Sequence, residues 1–110
     1  MTTAYKILGQ SAPANTSNAD LYTVPASTST IVSTIAITTT TATVANATVY
    51  IRKAAAAAAT GNAFVYTQAI PAYSTVTYTN GITLATTDVI TINTATASAL
   101  TFQAFGSELS

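Results

Sequence analysis

Ile31, Ser33, Ile35 and Ile37 alternate with Val32, Thr34, Ala36 and Thr38, a period of two that predicts a β-strand with a branched apolar row on one face. Both rows hold apolar members, as in a strand covered on both sides for part of its length. Ala47-Thr48-Val49-Tyr50-Ile51-Arg52 repeats the pattern, with Val49 and Ile51 on one face. Phe64-Val65-Tyr66-Thr67-Gln68-Ala69, Thr75-Val76-Thr77-Tyr78, Val89-Ile90-Thr91-Ile92 and Leu100-Thr101-Phe102-Gln103-Ala104-Phe105 are further predicted strands. Tyr5-Lys6-Ile7-Leu8-Gly9 and Leu21-Tyr22-Thr23-Val24 are shorter ones near the start. Thr, Val, Ile, Tyr and Phe suit a pleated, half-buried surface.

Turn signals separate these runs. Residues 13–20 are polar, Pro25-Ala26-Ser27 breaks the chain before Ile31, and Pro71-Ala72-Tyr73 breaks it before Thr75. Asn80-Gly81 is the strongest short turn signal, because both residues tolerate positive φ. Seven or eight short antiparallel strands at this spacing predict an all-β fold, a single β-sandwich or jelly-roll-like barrel over residues 1–110. Residues 54–59 are all alanine, too short for a stable isolated helix, and read either as one helical turn ended by Gly61 or as a connecting loop. The Thr-rich residues 38–43 either continue the Ile31 strand or bulge from it.

Composition changes this picture in one respect. Of the 110 residues, 49% are hydrophobic, which argues against disorder, yet only 5% are charged, against about 25% in an ordinary domain. Lys6, Arg52 and Lys53 balance Asp20, Asp88 and Glu108 to a net charge of zero. A surface of hydroxyls and methyls offers no long-range repulsion between copies, and only those three bases are on hand to guard strand edges against pairing. Either such a Thr-rich surface is tolerated, or much of it is covered by neighbouring subunits, and the second is expected. Three bases are too few for a phosphate-binding face, so no nucleic-acid partner is expected, and Arg52-Lys53 reads as the solvated end of a strand. The longest apolar run, residues 54–59, is far short of a membrane span. The start of the sequence lacks the basic and apolar regions of a signal peptide, so synthesis in the cytoplasm is expected.

Candidate chemistry is sparse. There is no His and no Cys, so the commonest general base, thiolate metal sites and Ser-His-Asp or Cys-His arrangements are missing. Asp20, Asp88 and Glu108 lie in three separate segments, which disfavours a catalytic carboxylate pair or a calcium site. Asp88, directly before a strand, is expected to bond backbone N–H groups in a turn. Glu108 reads as a solvated end or an inter-subunit contact. No catalytic residue, cofactor-binding residue, metal ligand or cofactor is expected, and the chain is not expected to be an enzyme. Tyr66, Tyr73 and Tyr78 fall close together in sequence; they offer either a carbohydrate-stacking or protein-contact surface, or ordinary packing with hydroxyls at the rim.

Four stretches carry a family resemblance: Lys6-Ile7-Leu8-Gly9-Gln10-Ser11-Ala12-Pro13-Ala14, Leu21-Tyr22-Thr23-Val24-Pro25-Ala26, Gly81-Ile82-Thr83-Leu84-Ala85-Thr86-Thr87-Asp88-Val89-Ile90, and residues 102–108. In that order they resemble small virion structural proteins of tailed bacteriophages, especially those of cyanobacterial and marine phages. The resemblance implies a β-sandwich that binds neighbours and performs no reaction, as a capsid decoration (cement) protein or as a tail, baseplate or fibre component. It further implies localisation in the virion, contact with the major capsid protein or another virion protein, and homo-oligomerisation, with a trimer favoured. A carbohydrate-binding adhesive module and a self-assembling, fibre-forming β protein are the alternatives from the residues themselves.

Overall fold

The computed structural model describes residues 2–79 and 81–110. Among them nine strands form two antiparallel sheets: β1 (Thr3–Ser11), β2 (Ala19–Thr23), β3 (Ser29–Thr39), β4 (Ala45–Arg52), β5 (Ala63–Ile70), β6 (Thr75–Tyr78), β7 (Ile82–Leu84), β8 (Val89–Thr94) and β9 (Leu100–Leu109). The first sheet has the order β1-β9-β3-β6, with β7 also on β3; the second has the order β2-β8-β4-β5.

Strands β6 and β7 lie end to end along one edge of β3, Thr75 to Tyr78 against Thr38 to Ile35 and Ile82 to Leu84 against Val32 to Thr30. Taken as one broken strand, they reduce nine strands to eight, and the pairings nest: first with last, second with seventh, third with sixth, fourth with fifth. That is a long hairpin rolled into two facing sheets, the jelly roll. The predicted all-β sandwich of seven or eight strands is therefore present, and its topology is now explicit.

The rolling sorts the connections to two ends. Residues 12–18, 40–44, 71–74 and 95–99 meet at one, where the Ser98 N–H donates to the Pro13 carbonyl, Thr40 to Ala99 and Tyr73 to Thr41. Residues 24–28, 53–62 and 85–88 lie at the other, where Val24 donates to the Asp88 carbonyl and Thr28 and Thr86 bond each other.

The core lies between the sheets. Val32, Ile35, Ile37, Leu100, Phe102 and Ala104 come from one, and Ala47, Val49, Ile90 and Ile92 from the other, all at most 1% exposed. Threonines enter it because their hydroxyls find partners: Thr39 donates to the Ile70 carbonyl and Thr94 to the Thr96 carbonyl. No buried side-chain polar atom is left unpaired among the described residues.

The register and path of the chain bear on four sequence expectations. The row Ile31, Ser33, Ile35, Ile37 does not share a face, because a bulge at Ser33 shifts the register between Val32 and Thr34. Ile35 and Ile37 point inward with Thr30 and Val32, whereas Ile31 is turned outward and is 44% exposed. The predicted turn at Asn80-Gly81 falls partly on Asn80, which lies outside the described residues. Strands β6 and β7, before and after it, run in the same direction along β3. Residues 54–59 belong to a connecting loop between β4 and β5: a 3-10 turn at Lys53–Ala55 opens it, irregular chain follows, and a second 3-10 turn at Thr60–Asn62 closes it. Residues 38–43 both continue the strand, to Thr39, and then leave it.

Close approach of backbones fixes two glycines beside the bulges. A Cβ on Gly106 would overlap the Ile31 carbonyl, and one on Gly9 the Leu21 carbonyl of the facing sheet. Gly106→Ala is expected to lower the unfolding free energy by about 1–3 kcal/mol. Gly61→Ala, whose Cβ meets nothing within 4 Å, should change it by less than about 0.5 kcal/mol. Urea denaturation of the two variants checks the difference.

Candidate functional site

The two outer faces of the sandwich differ in kind. On the second sheet, Asp20, Thr91 and Tyr50 are register neighbours on the solvent side. Arg52 Nη1 lies 3.2 Å from Asp20 Oδ1 and donates to Thr91 Oγ1 at 3.0 Å; Thr91 in turn donates to Asp20 at 2.9 Å. Asn93 extends this polar face through bonds to the Thr16 carbonyl and Asn18.

Arg52 is thus not the solvated strand end expected from sequence. Its side chain is only 19% exposed, and its guanidinium also donates to the carbonyls of Ala55 and Ala56. From the other side Asp88 accepts the Ala54 and Ala85 N–H groups, the turn role expected of it. Together they clamp the alanine loop, holding Ala54 and Ala55 at φ of 52° and 59°, where L-residues cost about 1–2 kcal/mol each.

Among the described residues, the outer face of the first sheet carries no charged side chain. Alternation along β9 turns Thr101, Gln103, Phe105, Ser107 and Leu109 outward, since Phe102, Ala104 and Glu108 face in. Opposite them on β1 stand Gln10, Ile7, Tyr5 and Thr3, and on β3 stand Thr38, Ala36, Thr34, Ile31 and Ser29. Tyr5 is 85% and Ile7 53% exposed, and with Ile31 and the half-buried Phe105 and Leu109 they make an apolar patch at one end of a hydroxyl-lined sheet. Four strands about 4.8 Å apart and about ten residues long give this face roughly 600 Å². That approaches the ~800 Å² per partner of a specific contact.

Glu108, expected at a solvated end or an inter-subunit contact, lies on the inner side of β9. Its carboxylate meets Lys6 Nζ at 2.7 Å and accepts from the Tyr22 hydroxyl at 2.5 Å, which also bonds Thr30 Oγ1 at 2.7 Å. The group ties β1, β9 and β3 to β2 of the facing sheet. Pattern analysis missed it because its members are distant in sequence. The Lys6 and Tyr22 bonds hold the Glu108 carboxyl below its ordinary value. Burial and then the Glu108 bond push the Tyr22 phenol up to about 12.

The three tyrosines noted from sequence are not one surface. Tyr78 faces inward, edge-on to Phe64 with ring centroids 5.8 Å apart. Tyr66 on β5 and Tyr73 in the β5–β6 loop stay exposed, Tyr73 at φ of 51°. Among the described residues there is no pocket, no group of three potential metal ligands, and no helix long and apolar enough to cross a membrane.

No family model matches the sequence, and no curated protein matches it. The fold is similar to that of a chain in the solved structure of infectious bursal disease virus, Gx strain. The TM-score is 0.52 over 97% of this chain, at 15% identity. This chain spans 31% of the length of that one. At that identity the likeness is one of fold.

Because the folded carboxyl of Glu108 titrates below its reference value of 4.5, its contribution to stability is complete above pH 4.5 and is lost as pH falls through the folded value. Tyr22 has the opposite sign: its contribution is complete below pH 10.0 and is lost as pH rises towards 12. Glu108→Gln is expected to cost about 1–2 kcal/mol, the half-exposed Lys6 limiting the loss, and to remove the acid limb. Chemical denaturation across pH, compared between the two proteins, measures both effects.

Proposed function

We propose that the chain is a structural subunit of a virus particle, a decoration protein that sits on the outer capsid, bridges coat subunits and acts by binding without catalysis. The observation that carries this reading is the uncharged outer face of the first sheet. The face approaches the size of a contact and exposes Tyr5, Ile7 and Ile31, while Arg52 and Asp20 of the opposite face are held in a local network. The jelly-roll pairing, common in viral capsid and lectin domains, and the likeness of fold to a viral chain support a virion role. A tailed-bacteriophage host particle, and the major capsid protein as partner, rest on the sequence resemblance.

Contact with coat subunits would bury apolar and hydroxyl surface at little desolvation cost, since no charge is removed from water. Purified particles should contain the chain in hundreds of copies, measured by quantitative mass spectrometry. A few to a few dozen copies would instead make it a tail, baseplate or fibre component. Absence from particles, with free protein in infected cells, contradicts the reading.

A second reading, adhesion to a host surface, is favoured by Tyr73 alone. It is a bulky residue 72% exposed and held at positive φ in a loop, a conformation that needs a reason. If Tyr73 stacks on a sugar, glycan-array binding disappears in Tyr73→Ala. Under the decoration reading neither protein binds the array.

A further inference from the structure

The sandwich has four edge strands, and three of them are blunted. Strand β2 is five residues long, with a register shift between Asp20 and Tyr22. On β5 the pairing with β4 shifts register twice, and Thr67 sits at φ of 46°. The β6–β7 edge is interrupted between Tyr78 and Ile82. Short length, bulges and breaks are the usual means of preventing an edge from templating another strand.

Strand β1 has none of these over its first half. From Thr3 opposite Leu109 to Ile7 opposite Phe105 its register is regular, and the shift comes only afterwards, between Ile7 and Gly9. All five residues of this stretch are exposed. The one charge on it, Lys6, is an edge guard in sequence only. Its side chain lies on the inner side, bound to Glu108 at 2.7 Å.

The free hydrogen-bonding groups of this edge can be assigned. Thr2 and Ser110 exchange both N–H···O bonds, at 2.6 and 2.9 Å. In an antiparallel ladder such pairs alternate with non-bonded ones, so Ala4 with Glu108 and Lys6 with Gly106 are also bonded pairs. The N–H and C=O groups of Thr3, Tyr5 and Ile7 therefore point away from β9, along the open edge. Their side chains stand on the uncharged outer face.

We propose that the first half of β1 is a self-association edge, at which β1 of a second copy adds antiparallel across a two-fold axis at Tyr5. This rests on the reading of the chain as an assembly subunit and names one contact by which it assembles. About six main-chain bonds form, with Thr3 opposite Ile7 of the second copy and Tyr5 opposite Tyr5. The two four-strand sheets become one continuous sheet whose outer apolar patches adjoin. A second copy fits because the register is self-complementary and free of like-charge pairs: each Lys6 is neutralised within its own chain. Cross-strand aromatic pairs also favour Tyr5 against Tyr5.

The test uses the purified chain and two variants that leave the β1–β9 bonds intact. Tyr5→Lys sets like charges opposite each other at the axis, and Tyr5→Pro removes an N–H that β9 does not use. Light scattering is expected to give twice the 11.2 kDa chain mass for the parent protein. Both variants should give the single mass with unchanged circular dichroism. In hydrogen exchange, the Thr3, Tyr5 and Ile7 amides should be slow in the parent and at least tenfold faster in Tyr5→Lys, with Ala4 and Lys6 slow in both. A monomeric parent, a trimer with fast Thr3, Tyr5 and Ile7 amides, or a folded Tyr5→Lys that keeps the double mass overturns the proposal. A monomer that is nonetheless abundant in particles overturns only the β1 contact. A β1-paired dimer absent from particles overturns only the virion role.

Discussion

Strand β9 is the element on which the other pairings depend. It is the last strand, yet it lies between the first and the third, joining Thr3 to Leu109 on one side and Thr39 to Leu100 on the other. Its own alternation is unbroken, so the bulges of β1 and β3, which fall beside its middle, must absorb the mismatch. Gly106 lets β3 come close at that level, and the facing Glu108 ties the end of the strand to Tyr22 of the second sheet. Once β9 is placed, the nested order of the roll leaves little freedom for the remaining strands.

The same bulge creates the surface that distinguishes this molecule. Were β3 to run through Ser33 without a bulge, Ile31 would share the inward side with Ile35 and Ile37 and add to the core. With it, Ile31 joins Tyr5, Ile7, Phe105 and Leu109 on a face without charge. The ions, in contrast, are used internally: Lys6 with Glu108, Arg52 with Asp20, and Asp88 on the backbone of the alanine loop. A molecule with few charges, most of them engaged in its own structure, has little with which to keep copies apart. Burial of that face by a neighbour is what the proposed role requires.

Most strands were legible in the sequence because alternation of branched and hydroxyl residues survives wherever the ladder is regular. Thr75 to Tyr78 was read to the residue. What was not legible lies where the ladder is irregular or where contacts are distant. The three-residue β7 is too short to show a period, and the bulge at Ser33 leaves no local signature, so Ile31 was placed with the wrong row. Glu108 looked like a chain end because its partners, Lys6 and Tyr22, are brought to it only by the roll. That the chain has neither His nor Cys was plain from composition, whereas the difference between the two outer faces needed the register of every strand.

As a subunit of a particle, the protein would have the uncharged face of its first sheet covered. Hydroxyl-radical footprinting of the chain, free at low concentration and within purified particles, measures this directly. Tyr5, Ile7, Ile31 and Phe105 should be strongly protected in the particle relative to the free chain, more so than Tyr50 on the opposite face. Equal labelling of Tyr5 and Ile31 in both states, or protection confined to the polar face of the second sheet, would contradict it.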